Sequence, residues 1–218
     1  MMTQDLAGLF RLCLSAQYIH TANDASFAIR SVERRLHILF QWSHGETDWR
    51  NNLDFPAAPY SDMPANWRCH RGFLRVWKSA EPYIAEVLAE TSCESITVTG
   101  YSHGGALAVL CHEYIWFHYP QLRANLYGYG FGAPRTVWCV SGCRALSVRW
   151  EHFTVVRNLD DAVTHLPPRL LGYRHMGKIL EIGKKGRYTP LDAHRPENYL
   201  AALEEYEALR DTCAPSPS

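Results

Sequence analysis

Ser95-Ile-Thr-Val-Thr-Gly100-Tyr-Ser102-His-Gly104-Gly-Ala-Leu-Ala108 decides how this 218-residue chain is read. A β-rich run over 95–99 ends at Gly100, and an apolar run from Gly104 continues until Pro120 stops it. Between the two lies G-x-S-x-G, with Ser102 at its centre. A serine between a strand and a helix must sit on a very tight turn. Glycines two residues to either side let the neighbouring backbone pass where a Cβ would clash. The start of the helix then aims its positive end at the serine hydroxyl, which favours developing negative charge there. Strand, G-x-S-x-G and helix together read as a nucleophile on a strand–helix turn.

Working outward, residues 4–20 carry Leu6, Leu9, Phe10, Cys13, Leu14 and Tyr18, an apolar helical stripe. Residues 35–42 read as a strand, 72–91 as a helix, 125–131 and 153–157 as strands, 179–182 as a further strand and 195–210 as a last helix. Pro56, Pro59 and Pro64 mark 56–66 as a loop. Apolar strands alternating with helices predict an α/β chain, with a mostly parallel central sheet and helices on both faces. We expect one domain over 1–218, with the Pro/Ser tail from 213 disordered.

Composition narrows the function classes. Lys plus Arg and Asp plus Glu are 22 each, so a zero net charge argues against a nucleic-acid binder or a polybasic membrane-surface protein. No apolar run approaches the length of a membrane span, so no stable membrane insertion is expected. The 7 cysteines are irregularly spaced, with Cys139 and Cys143 as C-x-x-x-C and no C-x-x-C pair. We expect reduced, buried thiols and, with no basic leader ahead of the first helix, a cytoplasmic protein. His112, Glu113 and His118 have the wrong spacing for a zinc helix, so neither metal nor cofactor is expected.

A nucleophilic serine needs a base, and the base needs an orienting carboxylate. After Ser102 the best acid lies in Asn158-Leu-Asp160-Asp161-Ala-Val-Thr-His-Leu-Pro-Pro168, directly behind a predicted strand. Asp160 and Asp161 compete for the role. His165, His175 and His194 are the candidate bases, and spacing alone does not choose between His175 and His194.

The chain resembles the class 3 lipase family, which includes fungal triacylglycerol lipases and feruloyl esterases. The resemblance rests on ordered blocks: Leu39-Phe-Gln-Trp-Ser43 with Asp48-Trp49 and Leu53-Asp-Phe55, then His70-Arg-Gly-Phe73, then Thr99 to Ala108. Phe131-Gly-Ala-Pro-Arg135, Asn158 to Pro168, and Tyr173-Arg-His-Met-Gly177 follow in the family's order. The resemblance implies an α/β-hydrolase fold and a serine ester hydrolase acting on a small-molecule or lipid ester. It takes Asp161 as the acid, from the register of Asp161-Ala-Val163, and His194 as the base. His175 becomes a supporting histidine. The oxyanion donors are the amide of His103, which follows the nucleophile, and by resemblance the amide of Ser43.

This chain departs from the family where Gln41-Trp42 replaces Arg-Gly, Thr164 replaces a proline and His103 replaces an apolar residue. Trp42 bears on the oxyanion loop, because a glycine there can take φ > 0 and a tryptophan resists it. The segment after Ser43 stands where family lipases carry a lid, and Trp49 is its only large apolar residue. So polar a lid gains little from an oil–water interface, which predicts short or soluble esters. Two other readings share these residues: a weak or inactive hydrolase-like binding protein, and an acyltransferase using the same triad.

Overall fold

The computed structural model describes residues 5–23, 25–41, 55–62, 67–139 and 148–212. Its strands are β1 (Ile19–His20), β2 (Ser26–Val32), β3 (Arg35–Phe40), β4 (Ala57–Pro59), β5 (Arg68–His70), β6 (Ser95–Tyr101), β7 (Leu126–Phe131), β8 (Val137–Trp138), β9 (Phe153–Asn158), β10 (Tyr173–Arg174) and β11 (Lys178–Ile182). Its α-helices are α1 (Leu6–Ser15), α2 (Arg71–Glu90), α3 (His103–His118) and α4 (Pro196–Thr212).

Seven strands form the main sheet in the order β1-β2-β3-β6-β7-β9-β11. Every neighbouring pair from β3 to β11 is parallel, while β1, β2 and β3 pair antiparallel. The strands β3, β6, β7 and β9 bury both faces, whereas the edge strand β11 buries only Ile182. Ile96, Val98, Phe153 and Val155 pack with Trp77, Leu107 and Cys111 of α2 and α3. Tyr101, Phe131, Val156 and Ile182 pack with Phe10 of α1 and Leu203 of α4. Helices therefore cover both faces of a mostly parallel sheet, as the sequence predicts. At the carboxyl ends of such strands loops converge on a common edge, and a site is expected there.

Three differences have physical causes. The first helix spans Leu6–Ser15 rather than 4–20, because Asp5 caps it by accepting the Gly8 N–H (2.6 Å) and the chain then turns out into β1. β2 was not read from the sequence; it joins β3 through Glu33-Arg34, with Glu33 at φ 56°, in a hairpin whose register pairs Val32 with Arg35. The proline-rich loop contains β4, which belongs to a small antiparallel sheet in the order β10-β8-β5-β4. Strands of two or three residues are too short to show periodicity.

Among the described residues no helix is long and apolar enough to cross a membrane. Cys13, Cys69, Cys93 and Cys111 are free thiols. Cys139 is disulfide-bonded, so the expectation of reduced thiols fails at that residue.

Candidate active site

Ser102 stands between the end of β6 and the first residue of α3, at φ 55° and ψ −124°. That conformation is rare for any residue with a Cβ, and it is held by its surroundings. The Ser102 amide donates to Phe131 O (2.8 Å) and its carbonyl accepts from the Gly105 amide (2.9 Å). The flanking glycines are required by close approach. A Cβ on Gly100 would lie 2.0 Å from the Gly104 carbonyl oxygen, and one on Gly104 would lie 2.3 Å from the Phe40 carbonyl oxygen. Helix and strand thus meet backbone to backbone around the serine.

His194 lies in a short 3-10 turn, Asp192–His194, just ahead of α4. Its Nε2 is 2.8 Å from Ser102 Oγ and its Nδ1 is 2.8 Å from Asp161 Oδ2. Asp161 follows β9 and is fully buried, which would be costly for a carboxylate left unpaired. It is not: Oδ1 accepts the Val163 amide (2.9 Å), and Oδ2 accepts both His194 Nδ1–H and the phenol of Tyr199 (2.5 Å). With Nδ1 donating to the carboxylate, Nε2 is the lone-pair nitrogen that faces the serine hydroxyl.

The supporting residues are equally specific. Tyr199 is fully buried in α4, and burial, reinforced by Asp161, pushes its phenol well above its ordinary pKa. It therefore stays a proton donor, and its oxygen accepts the Asn158 amide (3.0 Å). Asn158 Nδ2 in turn donates to Ala193 O beside the base (2.9 Å). The Tyr101 ring stacks on the imidazole at 5.3 Å, and its hydroxyl donates to the His194 carbonyl.

The two open choices of the sequence now separate in space. Asp160 has φ 73°, and its carboxylate accepts the Gly186 amide, so it serves a turn. His175 does not reach Ser102's partners; its Nε2 is 2.8 Å from the Thr164 carbonyl. Burial lowers its pKa to about 4, so it is neutral near pH 7 and donates that Nε2–H. Thr164, the departure from proline, is buried and donates its hydroxyl to Asp161 O (2.9 Å). His175 and Thr164 together pin the loop that carries the acid. His103 is buried, packs on Phe73 at 5.1 Å, and contributes the first amide of α3, whose first-turn N–H groups have no acceptor within the helix. Trp42, Ser43 and Trp49 lie outside the described residues. Tyr199 carries no motif of its own, and the blocks that contain Tyr101 and Asn158 do not state what those two side chains do. Their one sequence signal is position, with Tyr199 early in the helix after the base and Asn158 at a strand end.

A serine on the strand–helix turn of a mostly parallel sheet, with a histidine and an aspartate delivered to it from later loops, is the arrangement of an α/β-hydrolase. More narrowly, the chain belongs to the lipase (class 3) family, whose model matches residues 37–171. It is 29% identical over 160 residues to a lipase of Rhizomucor miehei, covering 71% of this chain and 44% of that protein. It is 26% identical over 159 residues to secreted mono- and diacylglycerol lipase 1 of Fusarium solani, covering 71% of this chain and 46% of that one. The solved structure of Rhizomucor miehei triacylglyceride lipase is similar in fold, with TM-score 0.64 and 24% identity over 77% of this chain and 66% of that chain. The chain spans a little under half the length of the curated relatives it matches.

Proposed function

We propose that this protein is a serine carboxylic-ester hydrolase, a lipase or esterase that works through an acyl-enzyme on Ser102. The observation that carries the reading is the continuous path from Ser102 Oγ through His194 to Asp161, with 2.8 Å at each step. Ser102 Oγ attacks the ester carbonyl carbon while His194 Nε2 takes its proton. Asp161 holds the imidazole in the tautomer that leaves Nε2 basic, and stabilises the imidazolium once it forms. The tetrahedral oxygen is received by the His103 amide and, by family resemblance, by that of Ser43. His194 returns the proton to the departing alcohol, and water then repeats the sequence on the acyl-enzyme.

Kinship to named lipases supports the hydrolase class. The polar composition of residues 44–52, with Trp49 as the one large apolar residue, supports short or soluble esters and little activation by an interface.

Hydrolysis of p-nitrophenyl esters from acetate to palmitate, with Ser102→Ala as control, tests both parts. Rates that fall with chain length and drop several orders of magnitude in the variant are expected. A maximum at long chains would refute the soluble-ester preference and keep the enzyme. No turnover by well-folded protein would leave the non-catalytic binding reading.

A further inference from the structure

Leu170 is 99% exposed, an apolar side chain standing wholly in water. Its neighbours Leu166 and Leu171 are 45% and 52% exposed. Slack does not account for this. The 3-10 turn Arg169–Leu171 is fastened from several sides. Trp138 Nε1–H donates to Leu171 O (2.8 Å), the Cys139 amide to Gly172 O (3.0 Å) and the Arg174 guanidinium to Arg169 O (2.7 Å). Arg135 reaches in to Pro167 O (3.0 Å). Leu170 is therefore held out on a rigid frame rather than left out by a loose one.

Positive charge gathers around this tip. Arg135 is lowered from its ordinary pKa by burial and by the nearby guanidiniums of Arg157, Arg169 and Arg174. Arg157 pairs with Glu181, but among the described residues no carboxylate pairs with Arg135, Arg169 or Arg174. Arg135 follows β7, and Arg169 and Arg174 lie on the segment between β9 and β11 that begins just after Asp161. A fully exposed leucine ringed by unneutralised arginines matches one kind of surface. In a bilayer of anionic lipid an apolar layer lies under a negatively charged skin.

We propose that the 166–174 turn and Arg135 dock this protein on an anionic lipid bilayer. Leu170 and Leu171 enter the headgroup–acyl boundary, and Arg169 and Arg174 face the lipid phosphates, with Arg135 adding positive charge behind them. Zero net charge removes a long-range pull, but the field that matters acts within about 10 Å of the surface, where the local cluster decides. The docking does not rest on the hydrolase reading.

Flotation with phosphatidylcholine vesicles, with and without phosphatidylserine, tests the surface, using Ser102→Ala so that no lipid is consumed. Binding at least tenfold stronger to the phosphatidylserine vesicles is expected, and it weakens with salt. Arg169→Glu and Leu170→Asp should each reduce it about tenfold or more, with cooperative melting retained. Equal binding to both vesicle types, no binding, or variants that bind like the parent would overturn the proposal. So would a dimer in sedimentation that Leu170→Asp dissolves, since a second copy would then occupy the turn. The hydrolase reading is judged separately, by wild-type turnover of p-nitrophenyl acetate without vesicles.

Discussion

The phenol of Tyr199 lies 2.5 Å from Asp161 Oδ2, the same oxygen that takes the Nδ1–H of His194. The carboxylate thus holds the base while a donor from α4 holds the carboxylate. Tyr199→Phe removes that donor and leaves the buried Asn158 amide without its acceptor. We expect a loss of about 1–3 kcal/mol in stability. We also expect a lower kcat at little-changed KM, read by steady-state kinetics on a soluble ester. A KM effect alone would show that the phenol does not act through the acid.

Two adjacent aspartates should behave oppositely. Asp161→Asn removes the acceptor that fixes the imidazole tautomer, and kcat should fall by about 10⁴. Asp160→Asn keeps a side chain that tolerates φ 73° and still accepts the Gly186 amide, so its kcat should stay within about twofold. Comparable losses in both would mean that the acid has been wrongly assigned.

Gly104→Ala places a methyl 2.3 Å from the Phe40 carbonyl oxygen, a backbone atom that cannot swing aside. The strand end must shift or the helix must lift, at a cost of about 3 kcal/mol or more, beyond an ordinary point change. Chemical denaturation measures it. Activity should fall further than stability, because the same shift moves Ser102.

His175 makes a pH prediction. Folded, it titrates at about 4; unfolded, at its ordinary 6.5. Between those values the unfolded chain binds the proton and the folded chain does not, so stability is full above pH 6.5 and falls with acidification toward 4. At 1.36 kcal/mol per unit the fall reaches about 3 kcal/mol. His175→Gln should remove that share of the slope when unfolding free energy is measured against pH, while the residual slope includes buried His112, lowered by burial to about 3. An unchanged slope would mean that His175 is already charged in the fold.

The elements that carry Ser102, Asp161 and His194 were legible because each is announced by local chemistry. Glycines around Ser102 must let backbones touch, and β9 is a run of apolar residues that ends in polar ones. The choice of Asp161 over Asp160 was not local. Both follow the same strand, and only the family register or the position of His194 separates them. β2 escaped because its exposed end, from Arg30 to Val32, hides its pairing with β3. The roles of Tyr199 and Asn158 escaped because a phenol and an amide become parts of a site only when α4 folds back against β9.

Phe10 of α1 packs against Tyr101, Phe131 and Tyr199, within 6 Å of each ring. The recognisable family segment, 37–171, contains neither that phenylalanine nor the tyrosine, nor the histidine that Ser102 needs. A protein engineer who trimmed the chain to that segment would keep the nucleophile and its acid. The base would be gone, and Tyr101, the ring that stacks on it, would lose its neighbours Phe10 and Tyr199.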